Sequence, residues 1–295
     1  MPRNNRTYVL IRRGIWHLVG NISYITFEVK QSRTRAAMPS QPASRPITPV
    51  ALVGAGPGGT DLLTIRALRL IEAADVVIHD RLVSADVLAL AAPQAHRVAA
   101  GKEGFGPATP QDAINTLITG HARTGARVVR LKGGDPVLFG RLDEEIAALE
   151  AADIAYEIVP GVTAASAAAA AIGQSLTRRG RNSGVRLLTG HDMQGFADHD
   201  WRALARPGEV AALYMAKRAA RFVQGRLMMH GAAPDTPVTL VENAARPDER
   251  ILATTLADWP TALSDAALAG PALTFLGLAP RAARAEISHT IQELA

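Results

Sequence analysis

A glycine-rich loop, Gly54–Gly59, follows the apolar run Val50–Val53. Glycine has no Cβ, so such a loop lets backbone amides approach a ligand closely. The loop satisfies the G-x-G-x-x-G spacing and is predicted to open a helix, and Asp80 ends the next predicted strand, where a ribose-binding acid is expected. An NAD-dependent dehydrogenase is therefore one hypothesis. Against it, Pro57 removes a backbone N–H that a pyrophosphate would use.

Lys102 is a candidate for proton chemistry. It follows the predicted strand His96–Ala99, and only four of the 32 Lys and Arg residues in the chain are Lys. A lysine ammonium can release its proton when its pKa is lowered, whereas a guanidinium cannot. Lys102 is therefore predicted either to exchange a proton or to bind a carboxylate, and its residue type alone does not separate the two roles.

The excess of positive charge lies at the amino-terminal end. The formal net charge is +5, but residues 1–49 alone carry +7, so the remaining residues carry −2. This distribution gives no reason to predict nucleic-acid binding by the body of the chain. Residues 39–49 are rich in Pro and Ser, and we expect residues 1–47 to form a disordered basic leader and linker. Met38 stands directly before the linker, so residues 1–37 are either a basic arm or sequence upstream of the natural start.

Composition excludes several classes of protein. The 295-residue chain contains no Cys, which excludes disulfides, Cys-ligated zinc, iron–sulfur clusters and thiol catalysis. The His residues show no metal-binding spacing, so we predict no metal site. No run of about 18 apolar residues is free of charge, so no membrane span is predicted. No signal-peptide cleavage pattern is present, and we expect a cytoplasmic protein.

Short apolar runs alternate with segments of helical periodicity over the first half of the chain. Their ends carry loops rich in Gly, Asp and Lys, as in an α/β sheet that binds ligands at the carboxyl ends of its strands. The predicted strands are Val50–Val53, Val76–Ile78, His96–Ala99, Arg127–Leu131 and Ala155–Val159. The predicted helices are Leu62–Ala73, Ser84–Ala91, Pro110–Thr119, Glu144–Ala152 and Thr163–Ile172.

The second half has several β-branched strands and fewer long helices, which favours a mixed sheet. Its predicted strands are Val185–Thr189, Val210–Met215, Pro237–Glu242, Arg250–Thr255 and Ala272–Leu278. We therefore expect an α/β protein of two domains with a boundary near residue 160. The predicted domains are 48–160 and 161–285, followed by a tail, 286–295.

Read in order, the loops form a longer pattern. The segments are Gly54-Ala-Gly-Pro-Gly58, Asp80-Arg-Leu-Val-Ser84, Gly101-Lys102, Arg130-Leu-Lys-Gly-Gly-Asp-Pro-Val-Leu-Phe-Gly-Arg141, Pro160-Gly-Val-Thr-Ala-Ala-Ser166, Tyr214-Met215 and Val241-Glu-Asn243. This pattern resembles the uroporphyrinogen-III C-methyltransferases, within the tetrapyrrole methylase family, over about residues 48–280.

The resemblance implies a two-domain tetrapyrrole methylase fold, with S-adenosylmethionine in the interdomain cleft, and a homodimer. It also implies two successive methyl transfers to pyrrole carbons of uroporphyrinogen III. The products would be S-adenosylhomocysteine and precorrin-2, a precursor of sirohaem and cobalamin. A methylase of another corrinoid intermediate is the alternative inside the family, and the dehydrogenase is the alternative outside it.

The resemblance also implies roles for individual residues. Asp80 matches the family's proposed proton acceptor and Lys102 its proposed proton donor. The implied cofactor contacts are Pro57, Gly133, Gly134, Asp135, Leu138, Thr163, Ala164, Met215 and Ala244. Because uroporphyrinogen carries eight carboxylates, basic side chains near these loops are predicted to bind it. The predicted substrate-binding residues are Arg81, Lys132, Arg141 and Arg179.

The chain departs from the usual family pattern at some loop positions. Ala216 and Ala244 stand where the family has Gly, and His79 stands where it has Tyr. We expect the two added Cβ atoms to crowd the cofactor loops, so that Ala→Gly at either position tightens binding at little cost in stability.

Overall fold

Two five-stranded sheets organise the residues that the computed structural model describes, which are 46–100 and 109–281. The predicted leader up to residue 45, the tail 286–295 and Lys102 lie outside the described residues. The division into domains 48–160 and 161–285 stays a prediction. No helix in the described part of the chain combines the length and apolar character needed to cross a bilayer.

The first sheet is wholly parallel, with strand order β3-β2-β4-β1-β5. Its strands are β1 (Val50–Gly54), β2 (Val76–His79), β3 (His96–Ala99), β4 (Val128–Lys132) and β5 (Tyr156–Val159). The helices of this half are α1 (Ile65–Ala73), α2 (Ala85–Ala89), α3 (Gln111–Arg123) and α4 (Leu142–Ala151). Every residue of the adjacent strands β1 and β4 is buried, as expected for central strands of a parallel sheet covered on both faces.

The second sheet is mixed, as predicted, with strand order β6-β7-β10-β8-β9. Its strands are β6 (Arg186–Thr189), β7 (Ala211–Tyr214), β8 (Pro237–Glu242), β9 (Arg250–Thr255) and β10 (Ala272–Leu276). Only the β6–β7 pair is parallel among these strands. The helices of this half are α5 (Ala164–Ala171), α6 (Trp201–Leu204), α7 (Ala220–Met229) and α8 (Trp259–Ala266).

Each sheet is covered by apolar side chains on both faces. Ala51 and Val53 of β1 enter one core, whereas Val50 and Leu52 enter another. This separation follows from the alternation of side chains along a strand. Residues of β7 alternate in the same way between the two cores of the second sheet. The sheets are thereby fixed on both sides, and the loops at their edges are left to form a site.

Candidate active site

A cavity of about 520 Å³ opens at one edge of both sheets. It is lined by residues that follow β1, β2, β4 and β5 in the first sheet and β6, β7 and β8 in the second. The start of β10 also lines it, because β10 runs antiparallel to β7 and β8. The carboxyl ends of parallel strands are where α/β proteins usually bind ligands.

All nine residues predicted to contact the cofactor line this cavity. They are Pro57, Gly133, Gly134, Asp135, Leu138, Thr163, Ala164, Met215 and Ala244. Asp80 and Lys132, from the catalytic and substrate-binding predictions, line it as well. The structure thus brings together residues from the loops after six strands, although their role in binding stays a prediction.

The floor of the cavity is built from backbone that only glycine permits. A Cβ on Gly54 would lie 2.6 Å from Gly161 N, and one on Gly133 would lie 2.8 Å from Leu82 Cβ. Gly134 has a φ of +71°, and a Cβ there would meet nothing closer than Ala164 N at 3.9 Å. The loops that carry Gly54 and Gly161 therefore pack tightly against each other, as do those that carry Gly133 and Leu82. The space above Gly134 stays open for a ligand.

Polar and apolar groups face this space from different sides. Asp135 Oδ1 accepts a hydrogen bond from Val137 N–H at 3.0 Å, which leaves its other oxygen able to accept from a ligand ammonium. Leu138 and the half-exposed Met215 offer apolar surface for a planar ring. The arrangement suits a ligand that has a cationic amino-acid end and an aromatic end.

Three non-glycine residues on the wall have left-handed backbone conformations. The φ angles are +52° at Phe139, +54° at Met215 and +51° at Asn243. Each such conformation costs on the order of 1–3 kcal/mol and persists only where its surroundings hold it. Asn243 is held by its N–H to Pro271 O at 2.9 Å and by its side-chain bond to Asp248 at 2.7 Å. Strain of this kind clusters at ligand sites.

A buried charge network lies beneath the cavity and includes Asp80. The Arg130 guanidinium donates to Asp80 Oδ1 and, through Nε, to Glu145 Oε1 at 2.9 Å. Lys132 Nζ donates to the same Glu145 oxygen at 2.9 Å. Side chains of Arg130, Lys132 and Glu145 are at most 3% exposed, whereas that of Asp80 is 29% exposed and reaches the cavity. The network therefore presents one carboxylate, in a fixed orientation, to the ligand space.

The ammonium group of Lys132 is held within this network by Glu145. Burial lowers the pKa of its ammonium and Arg130 lowers it further, while Glu145 and Asp80 act in the opposite direction. Removing one partner of a buried ion pair typically costs ~3–5 kcal/mol of stability, because the other charge is left unpaired. Lys132 thus supports the cavity floor through Glu145, a contact that the sequence pattern did not suggest.

The structure does not bring the other described substrate-binding candidates into the cavity. Arg81 is exposed and absent from the lining. Arg141 turns instead to Glu144 in the first turn of α4, with contacts of 2.7 and 2.6 Å. Arg179 lies on an exposed loop in a separate surface depression. Position in a loop after a strand does not determine where a long side chain points, and a role of these arginines in substrate binding stays a prediction.

Several lining residues were not predicted from the sequence. The Tyr214 hydroxyl lies 2.5 Å from Thr163 Oγ1 and accepts from Ala165 N–H at 3.3 Å. Arg246 donates to Leu82 O at 2.6 Å and to Pro57 O at 3.3 Å. These bonds tie loops of the second sheet to loops of the first. Tyr214 belongs to the family segment Tyr214-Met215, but nothing in the sequence indicated the hydrogen bonds that Tyr214 and Arg246 make.

The two alanine departures have different surroundings. Ala244 lines the cavity, as expected. Ala216 is fully buried in a core with Leu213 and Ala219 and is not part of the lining. The Cβ of Ala216 packs in the core beneath the loop and has no contact with the cavity, so tighter binding is expected for Ala244→Gly alone.

The glycine-rich loop lacks the geometry of a dinucleotide site. A 3₁₀ turn, Thr60–Leu62, follows it, and α1 begins only at Ile65, so the loop does not open a helix as predicted. Gly56 N–H donates to Gly134 O at 3.1 Å, and Gly134 N–H donates to Gly56 O at 2.7 Å. These two groups of Gly56 are therefore already used within the protein. In a dinucleotide fold, free loop amides and the helix N-terminus face the pyrophosphate. The dehydrogenase hypothesis has no structural support here.

Comparison with known proteins gives a consistent result. The family model for tetrapyrrole (corrin/porphyrin) methylases matches residues 49–260. The chain is 46% identical over 229 residues to a sirohaem synthase of Methylococcus capsulatus, covering 77% of this chain and 48% of that protein. A sirohaem synthase of Edwardsiella ictaluri is 46% identical over 228 residues, covering 77% of this chain and 49% of that protein. The chain thus spans about half the length of the curated relatives it matches.

Solved structures share the fold. A uroporphyrin-III C-methyltransferase from Thermus thermophilus, complexed with S-adenosylhomocysteine, is 38% identical with a TM-score of 0.66, covering 78% of this chain and 97% of that chain. A cobalt precorrin-4 methyltransferase is 30% identical with a TM-score of 0.69, covering 77% of this chain and 94% of that chain.

Proposed function

Because the chain belongs to the tetrapyrrole methylase family, we propose that it transfers methyl groups from S-adenosylmethionine to two pyrrole carbons of uroporphyrinogen III, giving precorrin-2. The observation that carries this proposal is the cavity itself, which is lined by Asp80 and by every residue that the family motif implies for cofactor binding. Precorrin-2 would then serve the formation of sirohaem or cobalamin. We also propose that the protein acts in the cytoplasm as a homodimer. Light scattering on the purified protein tests the dimeric state.

The cavity residues fit S-adenosylmethionine. A volume of about 520 Å³ lies within the usual range for small-molecule sites, ~300–1,000 Å³. Asp135 is placed to accept from the amino-acid ammonium, and Leu138 and Met215 offer surface for the adenine. The open direction above Gly134 leaves room for the amino-acid moiety to approach the backbone.

Bound S-adenosylmethionine supplies an electrophilic methyl group on a sulfonium, which leaves as a neutral thioether. The protein's main task is to align the nucleophilic ring carbon with that methyl group. As the new carbon–carbon bond forms and the sulfur–carbon bond breaks, the ring becomes cationic and must lose a proton. Asp80, which Arg130 holds at the cavity wall, is the acceptor we propose, and Lys102 is the proposed donor.

Replacing Asp135 by alanine is expected to weaken binding of S-adenosylhomocysteine about 10- to 100-fold. The variant removes a charged acceptor, and hydrogen bonds to charged groups contribute ~1.5–3 kcal/mol. Calorimetric titration measures the change, and NAD titrated into the wild-type protein should give no binding. Binding of NAD in place of S-adenosylhomocysteine by the wild-type protein would contradict the proposed function.

The chain offers a matched control for this variant. Asp192 Oδ1 accepts from Gln194 N–H at 2.7 Å, which is the same local turn that Asp135 makes with Val137. Asp192 does not line the cavity. Asp192→Ala should therefore leave the affinity unchanged, and an equal loss in both variants would show that the turn matters rather than the carboxylate in the cavity.

Replacing Ala244 by glycine is expected to tighten binding of S-adenosylhomocysteine, because Ala244 lines the cavity and glycine would remove a Cβ there. Ala216→Gly is the control, since Ala216 is buried in the core and its loss should lower stability by ~1 kcal/mol without tightening binding. Calorimetry and thermal unfolding measure the two effects. Weaker binding in Ala244→Gly would show that the loop is already adapted to alanine.

A further inference from the structure

We propose that Arg218 and Lys217, on the loop between β7 and α7, bind carboxylates of the substrate. Through these contacts they determine the protein's preference for a highly carboxylated tetrapyrrole. This inference rests on the proposed function. It assigns a role in substrate binding to two residues that the loop motifs do not include.

Charged groups on the cavity wall are unequal in number and in availability. In the described part of the chain, the acids that line it are Asp80 and Asp135, whereas the basic residues are Lys132, Lys217, Arg218 and Arg246. Lys132 is bound to Glu145, and Arg246 donates to two backbone carbonyls across the cavity rim. Lys217 and Arg218 are adjacent in the chain, and no acidic side chain of the described residues pairs with either, so their loop offers two positive charges to an anionic ligand.

Lys217 is held in place without being neutralised. Its Nζ donates to Leu268 O at 2.8 Å and to Gly270 O at 2.5 Å. An ammonium has three donors, so one is left after these two bonds. Both acceptors are neutral carbonyls, and the positive charge of Lys217 stays available to a carboxylate. The same bonds fix the loop that leads into Pro271, which lines the cavity.

Arg218 is exposed at the cavity and makes no ion pair or hydrogen bond within residues 46–100 and 109–281. A guanidinium offers five donors in a planar fork that matches a carboxylate. Arg141, also exposed, differs in that Glu144 already occupies its fork. An arginine that lies beside a ligand cavity with its fork unoccupied is well suited to bind a carboxylate of the ligand.

The test compares Arg218→Ala with Arg66→Ala in the protein with S-adenosylhomocysteine bound. Arg66 is exposed, pairs with Glu157 and does not line the cavity. The probes are uroporphyrin III, which is the stable oxidised form with eight carboxylates, and coproporphyrin III, which has four. Binding is measured as quenching of the protein's tryptophan fluorescence by the porphyrin. We expect Arg218→Ala to weaken uroporphyrin binding about 10- to 100-fold and to reduce the preference over coproporphyrin. Arg66→Ala should change neither quantity.

Two further measurements distinguish a role of Arg218 in substrate binding from a role in cofactor binding or in catalysis. Affinity for S-adenosylhomocysteine should stay unchanged in Arg218→Ala, which also shows that the variant is folded. With uroporphyrinogen III as substrate, KM should rise more than kcat falls. Arg218→Glu should weaken uroporphyrin binding further, because it places a like charge against the carboxylates.

Unchanged uroporphyrin binding in both Arg218→Ala and Arg218→Glu would overturn this inference, even if the wild-type protein methylates uroporphyrinogen III. Weaker porphyrin binding in these variants would support the carboxylate site, even if the wild-type protein transferred no methyl group to uroporphyrinogen III. The latter result would count against the proposed function alone.

Discussion

Replacing Asp80 by asparagine is expected to lower the rate of methyl transfer about 10²- to 10⁴-fold, the range typical for loss of a general base. Asparagine keeps the shape of the side chain and can still accept from Arg130, but it cannot take up the proton that leaves the ring. Affinity for S-adenosylhomocysteine should therefore stay close to that of the wild type. Single-turnover transfer of a labelled methyl group to uroporphyrinogen III measures the rate.

Asp75 provides the matched control for Asp80. It stands directly before β2 and pairs with Arg127 at 2.7 Å, whereas Asp80 directly follows β2 and pairs with Arg130. The two aspartates thus lie at opposite ends of one strand, and only Asp80 lines the cavity. Asp75→Asn should leave methyl transfer unchanged. A rate for Asp80→Asn within about threefold of the wild type would remove Asp80 from the acid–base chemistry.

The sheet, more than the loop, determines where Asp80 lies. Ile78 is the register partner of Arg130 in the parallel pair of β2 and β4, and Arg130 also donates to Ile78 O at 3.4 Å. Asp80 lies two residues beyond Ile78, and side chains two residues apart in extended chain share a face. Glu145 then anchors the other side of the guanidinium. A candidate base held by a buried arginine in a central strand has little freedom to move.

Much of the fold could be predicted from the sequence, because its strands are apolar runs bounded by glycine, proline and charged residues. The structure places all ten strands within one or two residues of the predicted positions. Helix boundaries were harder to predict. Helix α3 continues through Gly120 to Arg123, since Ala122 beyond the glycine is fully buried. Helix α7 lacked a start signal, because its N-cap is Ala219, whose side chain cannot cap a helix.

The residues of the site could likewise be predicted only in part. Residues contiguous with a glycine loop, such as Gly133 and Asp135, could be carried over from the family pattern, because local backbone determines their place in the cavity. Glu145 could not be found, because its role depends on a contact between helix α4 and strand β4. Arg141 lies outside the cavity lining for a related reason: a long side chain reaches whichever carboxylate is nearest, and Glu144 is three residues away. Sequence thus predicted the loops better than the directions of long side chains.

Lys102 is the remaining acid–base candidate, and it follows β3, the strand next to β2 in the sheet. Lys102→Arg is expected to lower turnover about 10²- to 10⁴-fold if Lys102 donates a proton. Arginine keeps the positive charge, so substrate affinity should be similar, but its pKa above ~12 prevents proton exchange. Single-turnover methyl transfer and porphyrin binding, measured separately, distinguish the two properties.

The companion variant Lys102→Ala separates proton donation from binding of a carboxylate. If Lys102 only binds substrate, Lys102→Arg should keep most of the turnover and Lys102→Ala should mainly raise KM. If it donates a proton, both variants should lose turnover, and only Lys102→Ala should also lose affinity, because it alone removes the charge. Turnover of Lys102→Arg within about threefold of the wild type would exclude the proton-donor role, and Asp80 would then carry the acid–base chemistry alone.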